Sequence, residues 1–314
     1  MKKPCAPLDN SGLQTCSIKD RKRKVDIQDF TTPWQKGNTF IQFLSTLPHI
    51  LAGNDLRAII SAITTAAKKN CQICFAMGGH VIKTGMSPIL IDLMTKKVLT
   101  LIAMNGSGII HDIEIAMAGK TSEDVSQTLE DGSFGMAEET SFYLNKAIRT
   151  AQEKKIGLGQ AVGELILLEN FKYKNLSLLA SAVDLNISVT VHVAMGTDII
   201  HMHPDFDAAA CGKASHHDFK IFASHVASLE KGVFINAGSA VIMPEIFLKA
   251  VTMVRNLGHP LNGFTTVNLD FIRHYRPMAN VVNRPVHGKG KGYNLSGHHE
   301  ILIPLIAAGV VEQL

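Results

Sequence analysis

Short, continuous apolar runs alternate along this chain with longer stretches in which apolar residues return every three or four positions. The runs predict strands at 71–76 (CQICFA), 98–104 (VLTLIAM), 187–194 (ISVTVHVA), 232–236 (GVFIN) and 262–268 (NGFTTVN). The longer period predicts helices at about 54–69, 86–95, 110–118, 136–153, 175–184, 215–229, 244–257 and 298–309. Strands that are apolar throughout must be covered on both faces. Their alternation with helices therefore predicts an α/β fold with a doubly wound, mostly parallel, Rossmann-like sheet. No internal repeat or low-complexity linker interrupts residues 31–314, which read as one domain behind an arm at residues 1–30.

Each presumed strand ends in a small or polar loop: Met77-Gly78-Gly79-His80, Asn105-Gly106-Ser107-Gly108, Met195-Gly196-Thr197-Asp198, Asn236-Ala237-Gly238-Ser239 and Asn268-Leu269-Asp270. The carboxyl ends of parallel strands share one edge, so these loops should converge on one crevice. The second is the most informative, because it opens directly into a helical pattern carrying His111 and Asp112. Free N–H groups at a helix start favour an anion such as a pyrophosphate. One glycine turn has a purely geometric explanation; five at one edge argue for a nucleotide or another phosphate-bearing ligand. The spacing is not GxGxxG, since Ile109-Ile110 follows and no acidic residue ends the next strand at the expected distance. That disfavours an ordinary Rossmann dehydrogenase.

Composition narrows the class. Hydrophobic residues make up 46% of the 314 and charged residues 18%, which excludes a disordered chain. The net charge of +4 is concentrated in Lys2, Lys3, Lys19, Arg21, Lys22, Arg23 and Lys24, opposed there only by Asp9 and Asp20. The rest is near neutral, so the basic run reads as a solvated arm and a nucleic-acid partner is not expected. No apolar run reaches the ~18–20 residues of a membrane span, and the start lacks the apolar core of a signal peptide. Cys5, Cys16, Cys71, Cys74 and Cys211 form no disulfide framework, so a cytoplasmic location is expected. Cys71-x-x-Cys74 lacks a second such pair, and its phase suits a buried strand.

Several stretches taken in order carry a family resemblance. They are Gly79-His80-Val81-Ile82-Lys83-Thr84-Gly85, Met104-Asn105-Gly106-Ser107-Gly108 leading to His111-Asp112, LSLLASAVDLNISVTVHVAMGTD, and Asn236-Ala237-Gly238-Ser239 before a helix. An Arg276-Pro277 step and a final HHEILIPLIAAGVVE helix complete the series. Over roughly residues 50 to 312 their order and phase resemble deoxyhypusine synthases, which use NAD to move an aminobutyl group from spermidine to a lysine. The resemblance implies NAD in these loops and commonly a homotetramer with sites at dimer interfaces. It makes Thr84, Gly85, Asn105, Gly106, Ser107, Gly108, Gly196, Thr197, Gly238 and Ser239 the cofactor candidates. The family's reactive lysine, in a Trp-Gly-Lys sequence after the Arg-Pro step, has no counterpart in MANVVNRPV. Lys289 and Lys291 follow out of register in a flexible-looking GKGKG segment. Ala279 and Asn280 stand where an acidic residue is expected, and a cationic polyamine needs several carboxylates to replace its water. Hypusination is therefore not expected.

Residues 192–218 instead hold His192, His201, His203, His216 and His217 with Asp205, Asp207 and Asp218. His201-x-His203 on an extended segment would place both rings on one face, as metal ligands require. No distant ligands are identifiable by spacing, so acid–base use or loop structure remain alternatives and no metal site is assigned. His216-His217 are expected to open a helix. His111 beside the anion loop is suited to taking a proton near pH 7, with Asp112 as partner or as a helix cap. His298-His299-Glu300 open the last helix, near where the family has a cofactor-side acid. The leading expectation is an NAD-dependent enzyme of the deoxyhypusine synthase-like class, an oligomer acting on a small substrate, with an amine the first candidate. His111, Asp112, His201 and His203 are its candidate catalytic residues. The alternatives are a metal-dependent hydrolase built on His201 and His203, and a non-catalytic nucleotide-binding protein.

Overall fold

The computed structural model describes residues 5–314, which leaves Lys2 and Lys3 of the basic arm outside the described residues. Helices α1 (Phe40–Thr46) and α2 (Leu51–Lys68) precede β1 (Ile73–Met77), and α3 (His80–Lys83) and α4 (Ser87–Thr95) lead to β2 (Leu101–Asn105). Five helices separate β2 from β3 (Ser188–His192): α5 (Gly106–Ala118), α6 (Val125–Thr128), α7 (Glu138–Lys154), α8 (Leu158–Leu168) and α9 (Leu178–Asp184). Then come α10 (Ala208–Ala227), β4 (Val233–Ala237), α11 (Ile242–Asn256) and β5 (Thr265–Asp270). A short α12 (Tyr275–Pro277) runs into a π-helical turn, Met278–Asn283, before β6 (Lys291–Ser296) and α13 (His299–Val311).

All six strands are parallel, in the order β3-β2-β1-β4-β5-β6. That order reverses direction between β1 and β4, the switch point outside which open α/β sheets bind ligands. The strands are apolar on both faces because both are covered. Phe75, Met77, Ile102, Met104 and Ile235 enter the larger core, and Cys74, Ala76, Leu101, Ala103 and Phe234 the smaller one. In the smaller core Phe234 stacks on Phe247 of α11 with ring centroids 3.7 Å apart. Cys74 packs in a strand, with its thiol pushed up to about 12 by burial.

Several element boundaries differ from the sequence expectation. β6 begins within the GKGKG segment expected to be flexible, at Lys291. It is an edge strand with one buried residue, Leu295, so it carries no apolar run to announce it. Gly290 and Gly292 lie so close to Phe264 O and Val282 O that a Cβ would stand 2.3 and 1.9 Å from those oxygens. Neither α8 nor α1 is among the expected helices. α10 starts at Ala208, where Asp207 Oδ1 accepts from Ala210 N at 2.8 Å, so His216 and His217 lie mid-helix rather than at its start. Before Phe40 the helical segments of the described chain are two three-residue 3₁₀ turns, and Leu8, Leu13, Ile18, Ile27 and Phe30 are exposed. No helix among the described residues is long and apolar enough to cross a membrane.

Candidate functional site

Beyond the carboxyl ends of the strands lies a cleft of about 620 Å³. Lys83, Ser107, His111, Glu114, Thr197 and Asp198 line it, and residues between Lys120 and Ala137 form its far wall. Helix α5 follows β2 without a connecting loop, Asn105 being both the last strand residue and the helix N-cap. Its glycines are demanded by packing. A Cβ on Gly106 would stand 1.9 Å from Asp198 Oδ2, and one on Gly108 would stand 2.7 Å from Met104 Sδ. The start of α5, expected to attract a pyrophosphate, thus already has a carboxylate beside it.

Asp198 is 8% exposed, and its Oδ2 has no hydrogen-bond partner. Burial pushes its carboxyl up to about 6. His201 Nε2 is also unpartnered and stands 3.9 Å from Asp198 Oδ2, beyond hydrogen-bond reach. The other nitrogen, Nδ1, accepts from Gly196 N at 3.1 Å and Asp198 N at 3.2 Å. Burial lowers the His201 pKa and so favours the neutral ring. Burial, and then the nearby Lys83 charge, push His111 down to about 4. Its Nδ1 lies 2.7 Å from Thr121 Oγ1.

The structure separates residues that the sequence groups together. Asp112 is fully buried, away from the cleft, where it accepts from Ser177 Oγ, Leu178 N and Leu179 N at the start of α9. His201 and His203 sit at the end of a 3₁₀ turn, Ile199–Met202, and not on an extended segment. The His203 Nε2 bonds Gly135 O at 2.8 Å, so the two rings face different partners. Among the described residues no three His, Cys, Asp or Glu side chains group to hold a metal ion. His192 is buried against Phe222, and burial pushes it down to about 3. Asp218, pushed up to about 7 by burial, accepts from Gly159 N and Val191 N and ties α8 to β3.

The cofactor candidates divide in the same way. Ser107 and Thr197 line the cleft, while Asn105 accepts from Ser107 Oγ at 2.9 Å. Gly196 lies in the left-handed region (φ 86°), with open space where a side chain would be. Thr84 and Gly85 lie past the end of α3, the threonine hydroxyl bonded back to His80 O and Val81 O. Gly238 and Ser239 sit at the switch point. There a Cβ on Gly78 would be 2.3 Å from Gly238 O, and one on Gly238 would be 2.7 Å from the buried His299 ring. Ser239 Oγ accepts from Met243 N in the first turn of α11. Beneath this loop Asn236, Asn268 and Asn294 occupy matched positions on β4, β5 and β6. Asn236 donates to Ser239 O and Asn268 Oδ1, and Asn268 to Asn294 Oδ1. Sequence reasoning did not single out Lys83, Glu114, Thr121 or Asp198 for a role. The i, i+3 spacing of His111 and Glu114 was the available signal, since it puts both on one face of α5.

No family model matches the chain, and none of the curated proteins matches it in sequence. Solved structures do share the fold. A candidate deoxyhypusine synthase from Entamoeba histolytica matches with a TM-score of 0.53 at 14% identity, over 88% of this chain and 94% of that one. AgrE, solved as a ternary complex with ornithine and NAD+, matches with a TM-score of 0.52 at 13% identity, over 85% of this chain and 34% of that one. ArgZ, an arginine dihydrolase of the cyanobacterial ornithine–ammonia cycle, gives a TM-score of 0.51 at 15% identity, over 84% of this chain and 33% of that one. The chain thus spans about a third of the length of ArgZ and AgrE. The likeness is one of fold: a parallel Rossmann-like sheet shared with these structures, a candidate deoxyhypusine synthase among them.

Proposed function

We propose that the protein is an NAD-dependent enzyme that oxidises a small amine in the cleft between α5 and the 120–137 wall, without a lysine-linked intermediate. The observation that carries this reading is that a neutral histidine and a buried carboxylate with one unpartnered oxygen line the same cleft at the carboxyl edge of the sheet. The fold shared with AgrE, whose solved complex contains ornithine and NAD+, supports it.

Two helix starts compete for the cofactor's phosphates. Asp198 disfavours a second negative charge beside Gly106, whereas the turn Ser239–Val241 before the 15-residue helix α11 stands at the switch point with no carboxylate beside it, the Gly238 N–H being given to Leu269 O. We therefore assign the pyrophosphate to Gly238 and Ser239 and the reacting end to the cleft with Ser107 and Thr197. When bound, NAD supplies a hydride acceptor. The carboxylate of Asp198 holds the substrate's ammonium, replacing the hydrogen bonds it lacks. His111 takes a proton from the amine as the carbon–nitrogen bond gains double-bond character. Lys83 lowers the proton affinity of His111, so an anionic ligand group paired with Lys83 raises it and makes the base stronger when the site is filled.

Thermal unfolding with NAD tests this directly. A ligand at 100 times its Kd adds ~2.7 kcal/mol, enough for a rise of several degrees. NADH fluorescence over a panel of small primary amines then reads turnover, which His111→Gln should reduce by roughly a hundredfold or more while preserving the NAD-induced shift. The proposal fails if saturating NAD leaves the transition unmoved. An NAD shift with no turnover on any amine favours the non-catalytic nucleotide-binding alternative. Light scattering on the same samples checks the expected homo-oligomer.

A further inference from the structure

A histidine ring has two nitrogens, and the partner of one decides what the other can do. Nδ1 of His111 lies 2.7 Å from Thr121 Oγ1, which in turn donates to Glu114 Oε2 at 2.5 Å. The second Glu114 oxygen accepts from Thr140 Oγ1 at 3.1 Å. Both threonine hydroxyls thus spend their single proton on Glu114. The Thr121 oxygen is then left as an acceptor, and only a proton on His111 Nδ1 completes the chain. We infer that Thr121 and Glu114 are positioning residues that hold His111 in its Nδ1–H form and leave Nε2 as an unprotonated lone pair at the cleft.

The surroundings fit that orientation. Nε2 is on the edge of the ring turned to Gly79, where a Cβ would stand 3.3 Å from Nε2, 2.8 Å from Cδ2 and 2.6 Å from Ser107 Oγ. Glycine at 79 thus keeps the lone pair uncovered at the turn after β1. The segment carrying Thr121 is itself held in place. Gly119 ends α5 in the left-handed region (φ 67°), and a Cβ there would stand 2.8 Å from the Tyr173 ring. Ser122 adopts the same region (φ 69°), which residues with side chains seldom occupy. Next to it Glu123 Oε1 accepts from Gly135 N at 2.9 Å, and Gly135 O takes the His203 hydrogen bond. His203 therefore supports the wall that presents Thr121.

The catalytic use of this relay rests on the proposed amine oxidation, but the tautomer does not, and the two can be tested apart. Nitrogen NMR of the full chain with labelled histidine reads the protonation of each ring nitrogen, with His111→Gln identifying the resonances. At pH 7, without ligand, His111 should show Nδ1 protonated and Nε2 bare. Thr121→Val removes the acceptor at nearly constant shape and should move the proton to Nε2, and Thr121→Ser should restore it. In the amine assay Thr121→Val should lower kcat by roughly tenfold or more, with the NAD-induced melting shift kept and the serine variant recovering the rate. A proton on Nε2 in the unsubstituted protein, or an unchanged tautomer in a folded Thr121→Val, overturns the relay. The expected tautomer without any NAD shift supports the relay and overturns the proposed reaction instead.

Discussion

Helix α5 carries one carboxylate withdrawn from water and meets a second at its first turn, and the molecule treats the two in opposite ways. At its junction with α9, Asp112 is fully buried but receives three donors, Ser177 Oγ, Leu178 N and Leu179 N. At its first turn, Asp198 is almost as buried, yet Oδ2 receives none. Burial raises both carboxyls to about 6. Asp112 gets this value although its three hydrogen bonds pull it downward, whereas burial alone acts on Asp198. In the first region the desolvation cost is offset within the chain and binds two helices together. In the second the chain leaves Oδ2 without a donor, which is the property of a group kept ready for a cationic ligand.

The largest effect should come from breaking the partnered side. Asp112→Ala strands a buried hydroxyl and two backbone N–H groups at the start of α9, and should cost about 3–5 kcal/mol in urea unfolding. A loss below about 1 kcal/mol would erase the contrast between the two regions. A smaller effect isolates the contact at Gly106. Gly106→Ala gains helix propensity but drives a methyl into Asp198, for an expected net cost of roughly 2 kcal/mol. In an Asp198→Ala background that cost should vanish, giving a coupling of about 1–3 kcal/mol. Additive effects would mean that the two groups do not meet.

Smaller still is Asp198→Asn, which removes a desolvated charge whose Oδ2 lacks a partner and should leave stability unchanged or raise it by about 1 kcal/mol at pH 7. The sign follows from the raised pKa. The folded state prefers protonated Asp198, so its ionisation destabilises the fold as pH rises from about 4 through about 6. The stability difference between the parent protein and the Asp198→Asn variant should therefore close as pH falls across that window. A difference that widens instead would show that Asp198 has a favourable partner.

How much of this was legible in the sequence follows from the same contrast. Continuous apolar runs such as CFAM and LIAM betray strands covered on both sides, so five strands and the sheet class could be read directly. β6 could not, because an edge strand buries too little to leave an apolar signature. The glycines of the NGSG turn announced a close approach, but the approaching groups, Asp198 and the Met104 side chain, were not legible: one comes from 92 residues further along the chain. His111 and Asp112 are adjacent in sequence but point to different sides of a helix. Their adjacency suggested one site, and the 100° turn between neighbours assigns them to two.

The finest test asks whether the two cleft groups titrate in opposite senses. His111 has a folded pKa near 4, below its ordinary 6.5, so the fold prefers the neutral ring. Its contribution to stability is complete above about 6.5 and is lost as pH falls towards 4. The ring is partly exposed, so solvent screening holds the effect to about 1 kcal/mol. His111→Gln should flatten the acid limb of the stability curve by that amount, and Lys83→Met by a fraction of it, since burial outranks Lys83 as the cause. Between pH 7 and 5, however, the ring stays neutral while Asp198 takes up a proton. Amine affinity should therefore fall over that interval in the parent protein and in His111→Gln alike, and titration calorimetry with a small amine should find the dependence gone in Asp198→Asn. A pH dependence that disappears with His111 instead would move the ammonium anchor from the start of α5 to the histidine one turn along it.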